Sequence, residues 1–273
     1  VGCDWSSDVC SSDLFHFFTG APLLNWLIYY PIERIMARYT DTLITINCED
    51  YKRAKSTFKT DVRYVPGVGV DSKRFKPRLT KKQRNDLRRS LSLKPDDFVM
   101  IYPAELSKRK NQTMLIDVME LVVKHNPGVY LLLPGSDSLG GLHKRLVNEK
   151  DIARNVHFLS YRSDIAQLLQ ISDLSVSTSK QEGLPVHIME AMTAGLPIIS
   201  TKCRGASELV EDGKNGYTVK IGDTHAFTNK IKDIVCDEEK RKKMAKDSKR
   251  RSASYKLADR KSTRLNSSHN QRS

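Results

Sequence analysis

Two glutamates, Glu182 and Glu190, stand eight positions apart in a segment with the sequence TSKQEGLPVHIMEAMTAGLPIIST. With the first on a loop and the second on the helix that follows, they would lie about 7 Å apart along the helix axis. Two carboxylates so placed can accept hydrogen bonds from hydroxyl groups on two parts of one long ligand. A nucleotide sugar has that form, because hydroxyl-bearing rings flank its diphosphate. The alternative is a solvated helix face, and the spacing of two glutamates is by itself compatible with either.

The elements around these glutamates predict a ligand-binding edge. Leu174–Thr178 has the length and composition of a buried strand, and a helix is expected to begin at Pro185. A further strand follows at Pro197–Ser200. The intervening loop therefore lies at the carboxyl end of a parallel strand, where open α/β sheets bind ligands. The backbone N–H groups of Gly183 and Leu184 favour anionic or oxygen-rich groups, and glycine permits their close approach.

The string EGLPVHIMEAMTAG resembles the E-x7-E segment of the retaining glycosyltransferases of family 4. The resemblance continues through Glu208–Gly216 (ELVEDGKNG), which is similar to a turn of that family. It implies the two-domain GT-B fold and transfer of a sugar from a nucleotide-sugar donor with retention of configuration. It also implies that Glu190 accepts hydrogen bonds from the ribose hydroxyls, and that Glu182 is a catalytic residue that contacts the transferred sugar.

The loop Ala104–Asn111 (AELSKRKN) resembles the family's phosphate-binding loop. In that family an arginine and a lysine of this loop neutralise the donor diphosphate. Lys110 matches the lysine and is therefore expected to be catalytic. Glu105 stands where the arginine would be, which puts that contact in doubt. Lys108 and Arg109 are alternatives for the second positive charge, unless both belong to a solvated loop.

Two more donor contacts follow from the same resemblance. Gly135 follows the predicted strand Val129–Leu133 and matches a glycine turn of the family, and Arg162 lies where relatives read the nucleobase. Pro185 completes the donor-binding set, with Gly183 and Leu184 beside it. The donor is expected to be UDP-linked. No other cofactor and no metal ion are expected, because the sequence lacks an Asp-x-Asp motif and the resemblance leaves the phosphate charge to lysine and helix ends.

Alternating strands and helices predict an α/β protein of GT-B type, with one complete Rossmann-like donor-binding domain and a remnant of the Rossmann-like acceptor domain. An apolar period predicts two helical pieces that are separated by a kink or break at Pro31. Packing on its own domain's sheet is favoured for this segment over a membrane-interfacial or lipid-acceptor role. The predicted ranges are 15–80 for the acceptor-side remnant, 81–94 for a linker with a helix, 95–235 for the donor-binding domain and 236–258 for a final helical segment.

The two ends, residues 1–14 and 259–273, are predicted to be foreign to the protein. Neither end has a hydrophobic period, and the codons for Asp259–His269 can be written as a DNA sequence whose reverse complement encodes Asp4–Asp13. That DNA resembles a sequencing-library adapter. We therefore expect both ends to be read-through and the protein to be represented by a fragment.

Composition narrows the class of protein. With 39% hydrophobic residues among 273, the chain can bury a core in one or two domains. No apolar run is long enough for a transmembrane helix, and Cys48, Cys203 and Cys236 have spacings that fit neither a zinc site nor a disulfide framework. These features favour a cytoplasmic protein, peripheral to the inner face of the plasma membrane at most.

The formal net charge of +14 is compatible with nucleic acid, an anionic membrane surface or acidic substrates as partners. No nucleic-acid-binding motif accompanies the basic runs, so an anionic membrane surface is the preferred partner besides the nucleotide sugar. The acceptor is expected to be a saccharide or a lipid-linked saccharide in cell-surface polysaccharide assembly, of capsule or exopolysaccharide type. Alternatives are another GT-B enzyme, such as a sugar-nucleotide epimerase, and a non-enzymatic nucleic-acid- or membrane-binding protein.

Overall fold

The computed structural model of the chain describes residues 9–12, 15–17, 21–65, 69–75 and 78–255. Its contacts divide it into two units. The first comprises the described residues of Val1–Val68 together with Glu182–Pro185, and the second comprises those of Gly69–Gln181 and Val186–Ser273. Each unit is built on a parallel sheet flanked by helices, which confirms the predicted α/β class. Residues 69–80, assigned from sequence to the acceptor-side remnant, group with the second unit.

The first unit contains a three-stranded parallel sheet in the order β1-β2-β3. Its elements are β1 (Val9–Ser12), α1 (Leu23–Met36), β2 (Thr42–Thr45), α2 (Cys48–Thr57) and β3 (Asp61–Tyr64). Helix α2 begins where the Asn47 side chain accepts the backbone N–H of Asp50 at 2.8 Å, an N-cap that satisfies an otherwise unpaired donor. Strand β1 lies inside the segment that the sequence predicts to be foreign. The pairing of its backbone with β2 does not test that prediction.

The sequence predicts a kink or a break at Pro31. Helix α1 is continuous through Pro31, so the predicted break is wrong. Trp26 and Tyr30 pack against the cluster of Phe15, Phe17 and Phe58, which agrees with packing on the unit's own sheet. The rest of the helix is different, because none of its residues is fully buried. Large apolar side chains lie on its surface, among them Leu23, Leu24, Leu27, Ile32, Ile35 and Met36.

The second unit contains a six-stranded parallel sheet in the order β6-β5-β4-β7-β8-β9. Its strands are β4 (Phe98–Ile101), β5 (Val129–Pro134), β6 (Val156–Ser160), β7 (Leu174–Ser177), β8 (Ile198–Thr201) and β9 (Gly216–Val219). The helices are α3 (Lys81–Ser90), α4 (Gln112–Val123), α5 (Leu142–Glu149), α6 (Ile165–Ile171), α7 (Val186–Ala194), α8 (Arg204–Leu209), α9 (Thr224–Cys236) and α10 (Glu238–Ser252). The strands predicted from apolar runs lie within one or two residues of these bounds.

The core of the second unit explains why its strands are recognisable in the sequence. Every residue of β7 and of β8 is buried, and β5 is buried except at Tyr130. Parallel strands that helices cover on both faces have continuous apolar runs rather than an alternating pattern. Helix α4 contributes the largest share of buried helix side chains to this core, including Leu115, Ile116 and Met119.

The predicted linker at residues 81–94 is held firmly to the second unit by Arg88. Its guanidinium donates to the backbone oxygens of Ile171 at 2.6 Å, Pro95 at 2.9 Å and Asp97 at 2.9 Å, and it pairs with the carboxylate of Asp173 at 3.1 Å. The Arg88 residue is only 6% exposed, which is tolerated because its donors are satisfied. The segment between α3 and β4 is therefore part of the domain rather than a free tether.

Within the described parts of the chain, no helix has both the length and the apolar character needed to cross a bilayer. The same residues contain no group of three or more His, Cys, Asp or Glu side chains that could hold a metal ion. Cys203 is buried, Cys48 is half-buried and Cys236 is exposed.

Candidate functional site

The strand order of the second unit reverses between β4 and β7. From β4 the chain proceeds through β5 and β6 on one side of the sheet, and it returns through β7, β8 and β9 on the other. The carboxyl ends of such a strand pair border the crevice in which open α/β sheets bind ligands. Two loops begin there, residues 102–111 after β4 and residues 178–181 after β7. We call these two loops the switch-point edge.

Hydrogen bonds join the two loops of the switch-point edge directly. The hydroxyl of Thr178 donates to the backbone oxygens of Lys110 at 3.2 Å and Asn111 at 2.9 Å. The Tyr102 hydroxyl also donates to the Lys110 oxygen at 3.1 Å, and it is hydrogen-bonded to the Ser179 hydroxyl at 2.6 Å. The backbone at Lys110 is thus fixed from both strands.

The other charged residues of the first loop are placed differently. Arg109 is engaged with the opposite loop, because its backbone oxygen accepts the N–H of Lys180 at 2.9 Å and its side chain donates to the Gln181 oxygen at 3.3 Å. Glu105 is exposed, and its backbone oxygen accepts a hydrogen bond from the Gln112 side chain at 2.8 Å. The backbone oxygen of Lys110, the residue matched to the phosphate-binding lysine, accepts hydrogen bonds from the side chains of Tyr102 and Thr178.

The segment Glu182–Pro185 precedes α7 and belongs by its contacts to the first unit. Glu182 is 5% exposed and Leu184 is 6% exposed, so the solvated-face alternative is wrong for Glu182. Helix α7 begins at Val186, one residue after the predicted start at Pro185. It ends as predicted, because Gly195 follows with a φ of +86° that favours glycine.

Glu190 lies in the second turn of α7 and has an ion-pair partner that is distant in sequence. The Arg74 guanidinium donates to Glu190 Oε1 at 3.2 Å, and the Glu190 side chain is 14% exposed while that of Arg74 is 50% exposed. Burial raises the pKa of the Glu190 carboxyl above its ordinary value, and the positive charge of Arg74 opposes that rise. Glu190 is thus a largely buried carboxylate with a single guanidinium beside it.

Gly135 and Arg162 have structural explanations of their own. A Cβ atom at Gly135 would lie 1.9 Å from the backbone oxygen of Ala104, so β5 and the loop after β4 can approach only because the side chain is absent. The Arg162 guanidinium makes a two-bond pair with Asp164 at 2.7 and 2.6 Å, which raises the pKa of Arg162 and lowers that of Asp164. Roles of either residue at the donor stay predictions.

With this geometry in place, comparison with known proteins identifies the family. The family model for group 1 glycosyl transferases matches residues 83–251, more than half of the chain. The chain is a member of the group 1 glycosyl transferases.

This glycosyl transferase chain is 38% identical over 238 residues to a protein of Bacillus subtilis strain 168 named as the glycosyltransferase EpsD, a match that covers 86% of the chain and 62% of EpsD. It is 26% identical over 219 residues to the Escherichia coli UDP-Gal:alpha-D-GlcNAc-diphosphoundecaprenol alpha-1,3-galactosyltransferase, covering 78% of the chain and 56% of that enzyme. The chain thus spans about three fifths of the length of these relatives.

Solved structures agree on the fold of this glycosyl transferase. The Anabaena protein HepE, crystallised with UDP and glucose, superposes with a TM-score of 0.81 at 23% identity, covering 95% of the chain and 71% of HepE. The lipopolysaccharide glycosyltransferase WaaG superposes with a TM-score of 0.75 at 18% identity, covering 92% of the chain and 71% of WaaG. These similarities confirm the predicted GT-B type of fold.

Three residues of the glycosyl transferase site were not found from its sequence. Tyr102 and Ser179 join the two loops, and an aromatic residue with a polar tip at a strand end was a usable signal for the first. Arg74 lies in the range 15–80, which the sequence assigns to the acceptor-side remnant. Nothing local distinguishes it from the other basic residues there, since its partner Glu190 is 116 positions away.

Proposed function

We propose that this chain holds the nucleotide-sugar-binding part of a family 4 retaining glycosyltransferase. The enzyme transfers a hexosyl or acetamidohexosyl group from a UDP-linked donor to a saccharide or lipid-linked saccharide acceptor in cell-surface polysaccharide assembly. The observation that carries the proposal is the switch-point edge, where side chains from both loops hold the backbone of Lys110. The membership of the chain in the group 1 family supports it. The similarity to EpsD and to a galactosyltransferase named for a diphosphoundecaprenol acceptor supports the substrate classes.

The proposed chemistry breaks the bond between the anomeric carbon and the diphosphate, and joins that carbon to an acceptor oxygen on the same face. Negative charge develops on the departing diphosphate, which takes up the acceptor proton. The Lys110 ammonium group counters this charge, and its fixed backbone reduces the reorganisation needed as the charge develops. Glu190 holds the nucleoside and Glu182 the transferred sugar. The proposal needs no metal ion, because lysine and backbone amides meet the phosphate charge.

Saturation-transfer NMR with UDP-glucose, UDP-N-acetylglucosamine and the bare nucleoside diphosphates tests the proposal. We expect signals from the uracil, ribose and sugar protons of at least one UDP-sugar. Conversion of UDP-N-acetylglucosamine to its C2 epimer would favour the epimerase alternative instead. Steep salt-dependent binding to duplex DNA without binding of any nucleotide would favour the nucleic-acid alternative.

We also propose that the protein attaches peripherally to an anionic membrane surface at the cytoplasmic face. The net charge of +14 and the apolar surface of α1 support this. Co-sedimentation should be stronger with phosphatidylglycerol vesicles than with phosphatidylcholine vesicles, and it should weaken as salt is added. Equal association with both vesicle types would remove the electrostatic part of the proposal.

A further inference from the structure

Arg74 lies on a short 3-10 turn, Ser72–Phe75, whose backbone is held in place. The Asp71 side chain accepts the N–H of Lys73 at 2.9 Å, and its backbone oxygen accepts the N–H of Arg74 at 3.2 Å. Just before the turn, the Val70 N–H donates to the Tyr255 oxygen at 2.9 Å. Phe75, which is 8% exposed, fixes the end of the turn. The position from which the Arg74 side chain extends is therefore defined by the fold.

This turn packs against α6 and α7, the second of which carries Glu190. Arg74 contacts the carboxylate through one oxygen, Oε1. Within the part of the chain that the structure describes, Oε2 has no hydrogen-bond partner and is not sealed from solvent. A carboxylate oxygen can accept more than one hydrogen bond, so the ion pair leaves acceptor capacity for a ligand.

Burying a carboxylate favours its neutral, protonated form unless a positive charge or hydrogen-bond donors compensate. In the described structure that compensation comes from the Arg74 guanidinium, whose positive charge opposes the rise in the Glu190 pKa that burial causes. The Arg74 side chain is 50% exposed and that of Glu190 is 14% exposed, so the guanidinium contacts the carboxylate from the solvent side. The pair is thus arranged to keep Glu190 charged and oriented while one oxygen stays accessible.

We propose that Arg74 is a positioning residue for the nucleoside subsite, holding Oε1 of Glu190 so that Oε2 is presented to the ribose hydroxyls. The inference rests on the proposed function of Glu190. It assigns Arg74 a role through Glu190 and not as a direct ligand of the diphosphate. A competing role, in which Arg74 blocks the carboxylate until a nucleotide displaces it, predicts the opposite effect of removing the arginine.

The test is a double-mutant cycle measured by calorimetry with UDP and with uridine. We expect R74M to bind both ligands about fivefold more weakly, because residues in direct contact are energetically coupled. In the E190Q background, the additional R74M substitution should cause no further loss. R74K should restore part of the affinity by keeping the charge. R250M is the matched control: it removes an arginine that is 78% exposed and paired with Asp247, and it should bind like the wild type.

Each contrary outcome has a separate meaning. Unchanged or tighter UDP binding by R74M would overturn the positioning role. A loss that persists in the E190Q background and is absent with uridine would make Arg74 a phosphate ligand, which also overturns it. If the wild type bound no UDP, or E190Q bound it as tightly as the wild type, the proposed function of Glu190 would fail and the inference with it. R74Q carries the same test if R74M does not fold.

Discussion

Replacing Gly135 with alanine should destabilise the second unit even when no ligand is present. The added Cβ would lie 1.9 Å from the Ala104 oxygen and 2.6 Å from its carbonyl carbon, whereas ordinary contacts are 3.4–4 Å. Both atoms are backbone, so β5 and the loop after β4 must separate by about 1 Å before even a tight contact is possible. Overpacking of this kind costs roughly 1–3 kcal/mol, and more where the neighbour cannot rotate away.

That cost corresponds to a melting temperature lowered by roughly 2–12 °C, since about 1 kcal/mol shifts the midpoint by about 2–4 °C in a protein of this size. Thermal unfolding followed by circular dichroism measures the shift. Gly128→Ala is the matched control, because its Cβ would meet only an Asp97 side-chain oxygen at 3.8 Å. If Gly135→Ala melted together with the wild type and Gly128→Ala, the packing explanation of this glycine would be wrong.

Four further predictions concern Arg88, Glu182 and Glu190. Arg88→Met should lower the free energy of unfolding by about 1–3 kcal/mol, because it removes the hydrogen-bond donor of the Ile171, Pro95 and Asp97 carbonyls. The Asp173 carboxylate loses its ion-pair partner but keeps the Val99 N–H at 2.9 Å. Arg89→Met removes an 80% exposed side chain and should change the free energy of unfolding little; denaturant unfolding compares the two variants. Glu190→Ala should weaken UDP binding about ten- to a hundredfold. Glu182→Ala should leave UDP affinity nearly unchanged and lower the transfer rate of the whole enzyme; equal loss of UDP binding in both variants would contradict this division. The pKa of Glu190 is raised in the folded state above its ordinary value of 4.5. The carboxyl therefore contributes to stability at pH values below 4.5, and this contribution is lost as the pH rises through the pKa of the folded state. Glu190→Gln should therefore gain stability relative to the wild type as the pH increases, and parallel stability curves would argue against a buried carboxyl.

Buried parallel strands could be predicted from the sequence because their signal is local. Strand β5 contains the run Val-Tyr-Leu-Leu-Leu, and the end of α7 is marked by Gly195. Helix α1 was predicted less well, because proline is a strong local signal for a helix break and yet the helix continues through Pro31. Its exposed apolar surface could not be predicted either, since an apolar period does not say whether its face is covered.

Site residues could be predicted from the sequence only where they belong to a recognisable family motif. Glu182, Glu190 and Lys110 were found through the resemblance, but the contacts from Arg74 to Glu190 and from Thr178 to Lys110 join residues far apart in the chain. Tyr102 and Ser179 are 77 positions apart, and each becomes informative only when the strand order places β4 beside β7. That order is a property of the folded sheet, and no local pattern of residue types specifies it.

The central claim is that the second unit binds a nucleoside diphosphate with Glu190 as the acceptor for its ribose. Isothermal calorimetry with UDP, on the wild-type chain and on Glu190→Ala, tests it most directly. We expect weak binding, with a dissociation constant on the order of 0.1–1 mM, and a loss of that binding in the variant. Absence of binding by the wild-type chain, or equal binding by both proteins, would contradict the account.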